Sequence, residues 1–278
     1  MSDAASPRES LAEILRLEPV RKGEFAACFE DFWSASEGGD VLARAALAAA
    51  ATCEGLQLHS LHASFLRPVP PGLRLALSVE ALADDRDGAH RQVRIQGDGL
   101  LCQMVASFAP AGDGLGYQDV APGADLPAPE DLPSTLEQAR AEGWSDYARG
   151  PIEFRRVHPR VWPDPTGDTS GGHVAWMRPR APLPRDPRLE MAALVFLAGF
   201  YSHWPFERRV GDGFAQDRFR TVDHALWLHR PLHWDDWWLM EAISEVAHAG
   251  RALSRRRIFT RDGGLLASTV QMARVARS

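Results

Sequence analysis

The chain has 278 residues, 45% of them hydrophobic, with nine Trp and a formal net charge of −6. That much apolar material buries a substantial core and excludes a wholly disordered chain. The acidic balance argues against general binding to nucleic acid or to an anionic membrane. Cys28, Cys53 and Cys102 are widely spaced and form no CxxC pair, so neither a disulfide framework nor a zinc site is expected. The longest apolar run, Met191 to Tyr201, is too short to span a bilayer. The N-terminal MSDAASPRESLAEIL is polar and acidic, without the apolar stretch of a signal peptide. These features together predict a cytoplasmic protein.

In chain order, Ser10 to Leu17 is expected as a short helix and Gly23 to Trp33 as a strand. Glu37-Gly38-Gly39-Asp40 then opens the Ala-rich stretch Val41 to Ala50, a strong helix former. Leu58 to Leu66 and Leu73 to Leu82 are expected strands, the second alternating through Leu73, Leu75, Leu77 and Val79. His90 to Gln96 and Leu100 to Phe108 flank a Gly-Asp-Gly turn and predict a hairpin. Ala109 to Arg149 is rich in Pro, Gly and acidic residues and is expected as a linker, with Ser134 to Ala141 helical inside it. Beyond it come strands at Ile152 to Val161 and His173 to Arg178, then a helix at Arg188 to Tyr201 that is apolar almost all round and therefore buried. Four more strands are expected, at Thr221 to Leu228, Trp237 to Ser244, Arg251 to Thr260 and Leu265 to Val275.

The two halves repeat one plan. RIQGDGLLCQMVASF (Arg94 to Phe108) answers RIFTRDGGLLASTVQM (Arg257 to Met272), and His62 with Arg67-Pro68 answers His224 with Arg230-Pro231. The spacing between copies is 162 residues at the histidines and 165 at Val105 and Val270. A duplicated unit implies a pseudo-symmetric protein of the α+β class, a helix laid against an antiparallel sheet twice over. The second copy carries Gln271 where the first carries Ala106, so one side has a polar group the other lacks.

Several motifs resemble the acyl-CoA thioesterase II family. They are HSLHASFLRP (His59 to Pro68), PIEFRR (Pro151 to Arg156), HVAWMR (His173 to Arg178), TVDHALWLHRP (Thr221 to Pro231) and IFTRDGGLLASTVQ (Ile258 to Gln271). The resemblance covers almost the whole chain outside the linker. It implies a double hotdog, with an N-terminal hotdog domain over 1–110, a linker over 111–150 and a C-terminal hotdog domain over 151–278. It also implies hydrolysis of an acyl-CoA thioester to free acid and CoA, a place in lipid metabolism, assembly into a homo-oligomer, and no metal or cofactor.

The family's site is built from an Asp near the end of the second helix, the Thr of Thr-x-Asp-His and the Gln of the terminal Thr-Val-Gln. The resemblance carries the last two onto Thr221 and Gln271. Phe200 stands at the position of the Asp, and no acidic residue lies between Met191 and Phe206. Hydrolysis needs a base for the attacking water, and losing a positioned one costs about 10²–10⁴ in rate. Asp40 is the expected substitute, since a helix N-terminus keeps a carboxylate charged; its plainer reading is a first-turn acid. Glu54, at the end of the same helix, is a weaker candidate of the same kind.

Asp223 and His224 complete the candidates, with Phe200, as substrate contacts. In a regular strand residues two apart share a face, so Asp223 is expected to point with Thr221. His59 and His62, three apart, are expected on opposite faces and make poor joint metal ligands. Arg251, Arg255, Arg256, Arg257 and Arg261 are read as a solvated strand edge, with contact to CoA phosphates as the sharper reading. A non-catalytic acyl-thioester binding protein is the alternative to a hydrolase.

Overall fold

The computed structural model describes residues 10–29, 38–69, 72–112, 114–142, 150–157, 172–200, 202–210, 219–232, 234 and 236–275. The described strands form one twelve-stranded sheet in the order β1-β2-β4-β5-β6-β3-β9-β12-β11-β10-β8-β7, with antiparallel neighbours throughout. The first half supplies β1 (Glu18–Arg21), β2 (Glu24–Cys28), β3 (Gln57–Phe65), β4 (Arg74–Asp84), β5 (Ala89–Gly97) and β6 (Gly99–Ala109). The second supplies β7 (Ile152–Arg156), β8 (Gly172–Pro179), β9 (Arg220–Leu228), β10 (Trp238–His248), β11 (Arg251–Phe259) and β12 (Leu265–Arg274). The order reads the same outward from the β3–β9 pair in both directions. That is the double-hotdog plan, with its pseudo-twofold axis between β3 and β9.

Each half lays one long helix on the inner face of the sheet, against the main core. These are α2 (Gly39–Ala50) and α4 (Pro187–Gly199); the shorter helices are α1 (Leu11–Ile14), α3 (Thr135–Glu142) and α5 (Trp204–Val210). The Ala-rich composition of α2 lets it approach α4 closely as well as the sheet. The approach is tightest where the start of α2 meets the end of α4. A Cβ on Gly39 would lie 2.5 Å from the Phe196 carbonyl oxygen, and one on Gly199 would lie 2.6 Å from the Gly39 Cα. Only glycine admits two backbones at that distance. The main core fills the space between this helix pair and the sheet, from Leu42, Leu61 and Met104 on one side to Leu194, Leu226 and Ile258 on the other.

A second, smaller core lies on the outer face of the second half. Trp176, Trp237, Leu239 and Phe259 are covered there by Val120, Leu126 and Leu132 of the connecting segment. The segment is fastened as well as packed. The Trp176 indole donates to the Pro127 carbonyl at 2.9 Å, and the Gln118 amide donates to the Gly263 carbonyl at 2.9 Å. The Arg155 and Arg178 guanidiniums lie over the Trp237 ring and share Glu153. A stretch that reads as linker by its Pro and Gly content is thus the lid of an apolar patch. Two elements were not legible from periodicity: β1, a four-residue edge strand, and α5, which follows the buried helix.

Candidate active site

Thr221 sits on β9 and Gln271 on β12, its neighbour in the sheet. A bulge at Val222 decides what points inward. Ala273 pairs with Thr221 and Met272 with Asp223, so Val222 has no partner of its own. The extra residue reverses the alternation. Thr221 and His224 therefore both face the core, whereas Asp223 is exposed on the other face. The expectation that Asp223 points with Thr221 is corrected by this bulge. His59 forms the matching bulge in β3, between Leu58 and Ser60. It likewise puts His59 and His62 both on the exposed side, against the expectation of opposite faces. His59 meets Ser107, and His62 meets the Trp227 ring edge-on.

The inward residues form a hydrogen-bonded chain. Gln271 Nε2 donates to Thr221 Oγ1 at 2.8 Å, and His224 Nδ1 lies 3.1 Å from Gln271 Oε1. Because the amide nitrogen is turned to Thr221, the oxygen faces the imidazole, and His224 must carry its proton on Nδ1. Thr221 is 8% exposed, Gln271 2% and His224 1%. Burial holds the His224 pKa down to about 3, the Arg256 charge adds to the depression, and the Gln271 hydrogen bond opposes it. His224 is therefore neutral, and its unprotonated Nε2 is buried without a hydrogen-bond partner among the described residues.

Arg256 is the residue that sequence reasoning misplaced. It lies on β11, which is an interior strand between β10 and β12, and is 1% exposed. Its Nη1 donates to the carbonyls of Ala198 and Phe200 at 2.9 and 2.6 Å. A buried guanidinium thus closes the C-terminus of α4, where orphan carbonyls and the helix dipole favour a cation. The inward parity it shares with Ser254 and Ile258 on β11 was the available signal. Arg255, by contrast, pairs with Glu245, and Arg261 with Glu130 and Asp236 at the surface.

Phe200, the C-cap of α4, is buried and stacks with Phe196 and Phe154 at ring-centroid distances of 5.2 and 5.8 Å. Asp40 lies in the first turn of α2 and accepts from the buried Arg44 at 2.6 Å. Its neighbour Gly39 abuts the backbone of Gly199 and Phe200. Asp40 and Phe200 are thus gathered at the same end of the helix pair, with Arg256 linking that end toward His224. Glu54 is exposed beyond the opposite end of α2.

The N-terminal domain model for acyl-CoA thioesterases matches residues 33–109, and the C-terminal domain model matches residues 125–275. The chain belongs to the acyl-CoA thioesterase family. It is 28% identical to acyl-CoA thioesterase 2 of Haemophilus influenzae over 94% of this chain and 95% of that one. With human acyl-coenzyme A thioesterase 8 it shares 25% identity over 93% of this chain and 86% of the relative. The crystal structure of acyl-CoA thioesterase II TesB2 from Mycobacterium marinum superposes with a TM-score of 0.76 at 29% identity, covering 97% of this chain and 99% of that one. A hot dog fold protein from Alicyclobacillus acidocaldarius shares the fold at a TM-score of 0.78 and 18% identity. Among the described residues no helix is long and apolar enough to cross a membrane.

Proposed function

We propose that the chain hydrolyses an acyl-CoA thioester at the cluster of Thr221, Gln271 and His224. The observation that carries this is the buried 2.8 Å bond from Gln271 to Thr221, which ties the two family-matched side chains into one unit. In the proposed reaction water attacks the thioester carbonyl carbon, the C–S bond breaks, and the water's protons pass to the base and to the leaving CoA sulfur. Gln271 has a second amide hydrogen with which it can hold the attacking water or the developing oxyanion, and its bond to Thr221 fixes the direction of that amide. His224 serves as a positioning residue that fixes the Gln271 amide. A neutral imidazole with so low a pKa is a poor base, which leaves that part to Asp40, at the same end of the helix pair as Phe200.

Membership of the family and the retained Thr-Gln pair support this reading. The free cysteines, two of them buried, fit a reducing compartment and support a cytoplasmic setting as part of the proposal. One observation favours the alternative of a non-catalytic acyl-thioester binder. Phe200, which the sequence resemblance sets at the position of the family's carboxylate, is a buried ring stacked on Phe154, and neither Gln271 nor His224 has a carboxylate among its described hydrogen-bond partners. Thiol release from short, medium and long acyl-CoAs tests the two. Turnover that falls in Thr221→Ala, Gln271→Ala and Asp40→Asn supports hydrolysis with Asp40 as base. Turnover kept in Asp40→Asn removes Asp40 from the proposal. No turnover by the folded parent on any chain length selects the binder.

A further inference from the structure

The pseudo-twofold axis gives every member of the polar cluster a counterpart at the other end of the helices. The two bulges fix the correspondence. Leu58 with Phe108 matches Thr221 with Ala273, and Leu61 with Ala106 matches His224 with Gln271. This register moves the sequence repeat by one residue, since the copy of His224 is Leu61 and not His62. All three polar groups have buried apolar counterparts, Leu58, Leu61 and Ala106. Yet that end of the molecule is not filled. A cavity of about 300 Å³ opens there between the C-terminus of α2, the N-terminus of α4 and the ends of β3, β6 and β9. Leu56, Leu58, Phe108, Met191 and Leu232 are among its walls, and Arg185, Arg188 and Arg230 border it with one carboxylate, Glu190.

We propose that this cavity is a second, non-catalytic site that binds an unbranched alkyl chain ending in a carboxylate. The apolar walls match the chain, because burying each methylene is favourable and places no demand on hydrogen bonding. Three guanidiniums against one acid give the border a net positive charge, and the planar fork of Arg fits a carboxylate through two parallel hydrogen bonds. The volume lies at the low end for small-ligand sites, which suits a tail and its carboxylate but not the nucleotide of CoA. At the positions matching Thr221, His224 and Gln271 this end has only Leu58, Leu61 and Ala106, so the ligand is held without being turned over. The inference rests on the cavity and not on hydrolysis at the first site.

The test is calorimetric titration of the full chain with sodium dodecanoate, dodecanoyl-CoA and CoA in separate runs. Dodecanoate is expected to bind saturably with one-to-one stoichiometry. Leu56→Trp, a change at a half-buried wall residue, should abolish that binding. The surface double variant Arg185→Glu/Arg188→Glu should weaken it by about tenfold or more, the factor that follows from losing about 1.4 kcal/mol of head-group attraction. Thr221→Ala should leave it unchanged. Absence of saturable dodecanoate binding, binding that survives both the wall and the charge variants, or binding of dodecanoyl-CoA alone would each overturn the proposal. Because heat of binding is read and not turnover, a chain that fails to hydrolyse any thioester still tests it.

Discussion

The amide of Gln271 donates a 2.8 Å hydrogen bond to the hydroxyl of Thr221 on the adjacent strand, immediately beside the bulge that turns Thr221 inward. The bond exists only because β9 carries one residue more than β12 at that point. Two groups held this way should act as a unit. Gln271→Ala and Thr221→Ala are each expected to lower kcat by about 10²–10³, the cost of removing one oriented donor. The double variant should lose little more than either single one. Steady-state kinetics of the three variants checks this, and losses that multiply would separate the two side chains.

His224 should make the protein sensitive to acid. Its folded pKa of about 3 lies below the ordinary value of about 6.5 for an unfolded histidine. As the pH falls from about 6.5 towards 3, the unfolded chain takes up a proton at His224 that the folded chain refuses. Its contribution is therefore fully present above pH 6.5 and declines below it, by at most about 1.4 kcal/mol per pH unit. His224→Asn removes the titration while retaining a donor for Gln271. Urea midpoints from pH 7 to pH 4.5 should fall less steeply in that variant than in the parent. Equal slopes would mean that His224 titrates normally.

Arg256 should couple helix and sheet. Arg256→Met leaves the Ala198 and Phe200 carbonyls without this donor and is expected to cost about 1–3 kcal/mol, the penalty for buried acceptors left unmet. It also removes a positive charge that depresses His224, so the acid limb, which still begins near pH 6.5, should level off at a higher pH and cost less in total. Chemical denaturation across pH reads both effects at once. A stability loss with no shift of the acid limb would place the guanidinium's influence on α4 alone.

Phe200→Asp puts a carboxylate at the end of α4, where the resemblance in sequence expects one. The variant gives up a buried ring stacked on Phe154 and Phe196 and should lose about 3–5 kcal/mol of stability. Where it remains folded, hydrolysis should rise by about 10²-fold or more, the usual worth of a positioned base. Thiol release beside a thermal melt decides between the outcomes. A less stable protein with no faster turnover would show that a carboxylate at this position does not limit the rate.

Most of the architecture was legible because repeats and periodicity survive in sequence. The helix at Val41 to Ala50, the hairpin around Gly97 to Gly99 and the last four strands lie within a few residues of their expected bounds. The site was legible only in part, for one physical reason. Period-two reasoning assigns faces by counting, and a single unpaired residue inverts the count. Val222 does so for Asp223 and His224, and His59 does so for His62. No composition rule marks either residue as a bulge. Arg256 was hidden differently, in a run of Arg255, Arg256 and Arg257 that looks uniformly solvent-facing until strand parity separates the middle one. The connecting segment misled by its Pro and Gly, since its partners Trp176, Trp237 and Phe259 come much later in the chain.

The pairing of β3 with β9 has an evolutionary corollary. In an association of two identical chains, any substitution strikes both copies at once, so a change useful at one location is imposed on the other. Here the two halves are written separately along one polypeptide. Leucine can be chosen at position 58 and threonine at position 221 without either constraining the other, and the same fold can keep a reactive end and a greasy end for different tasks.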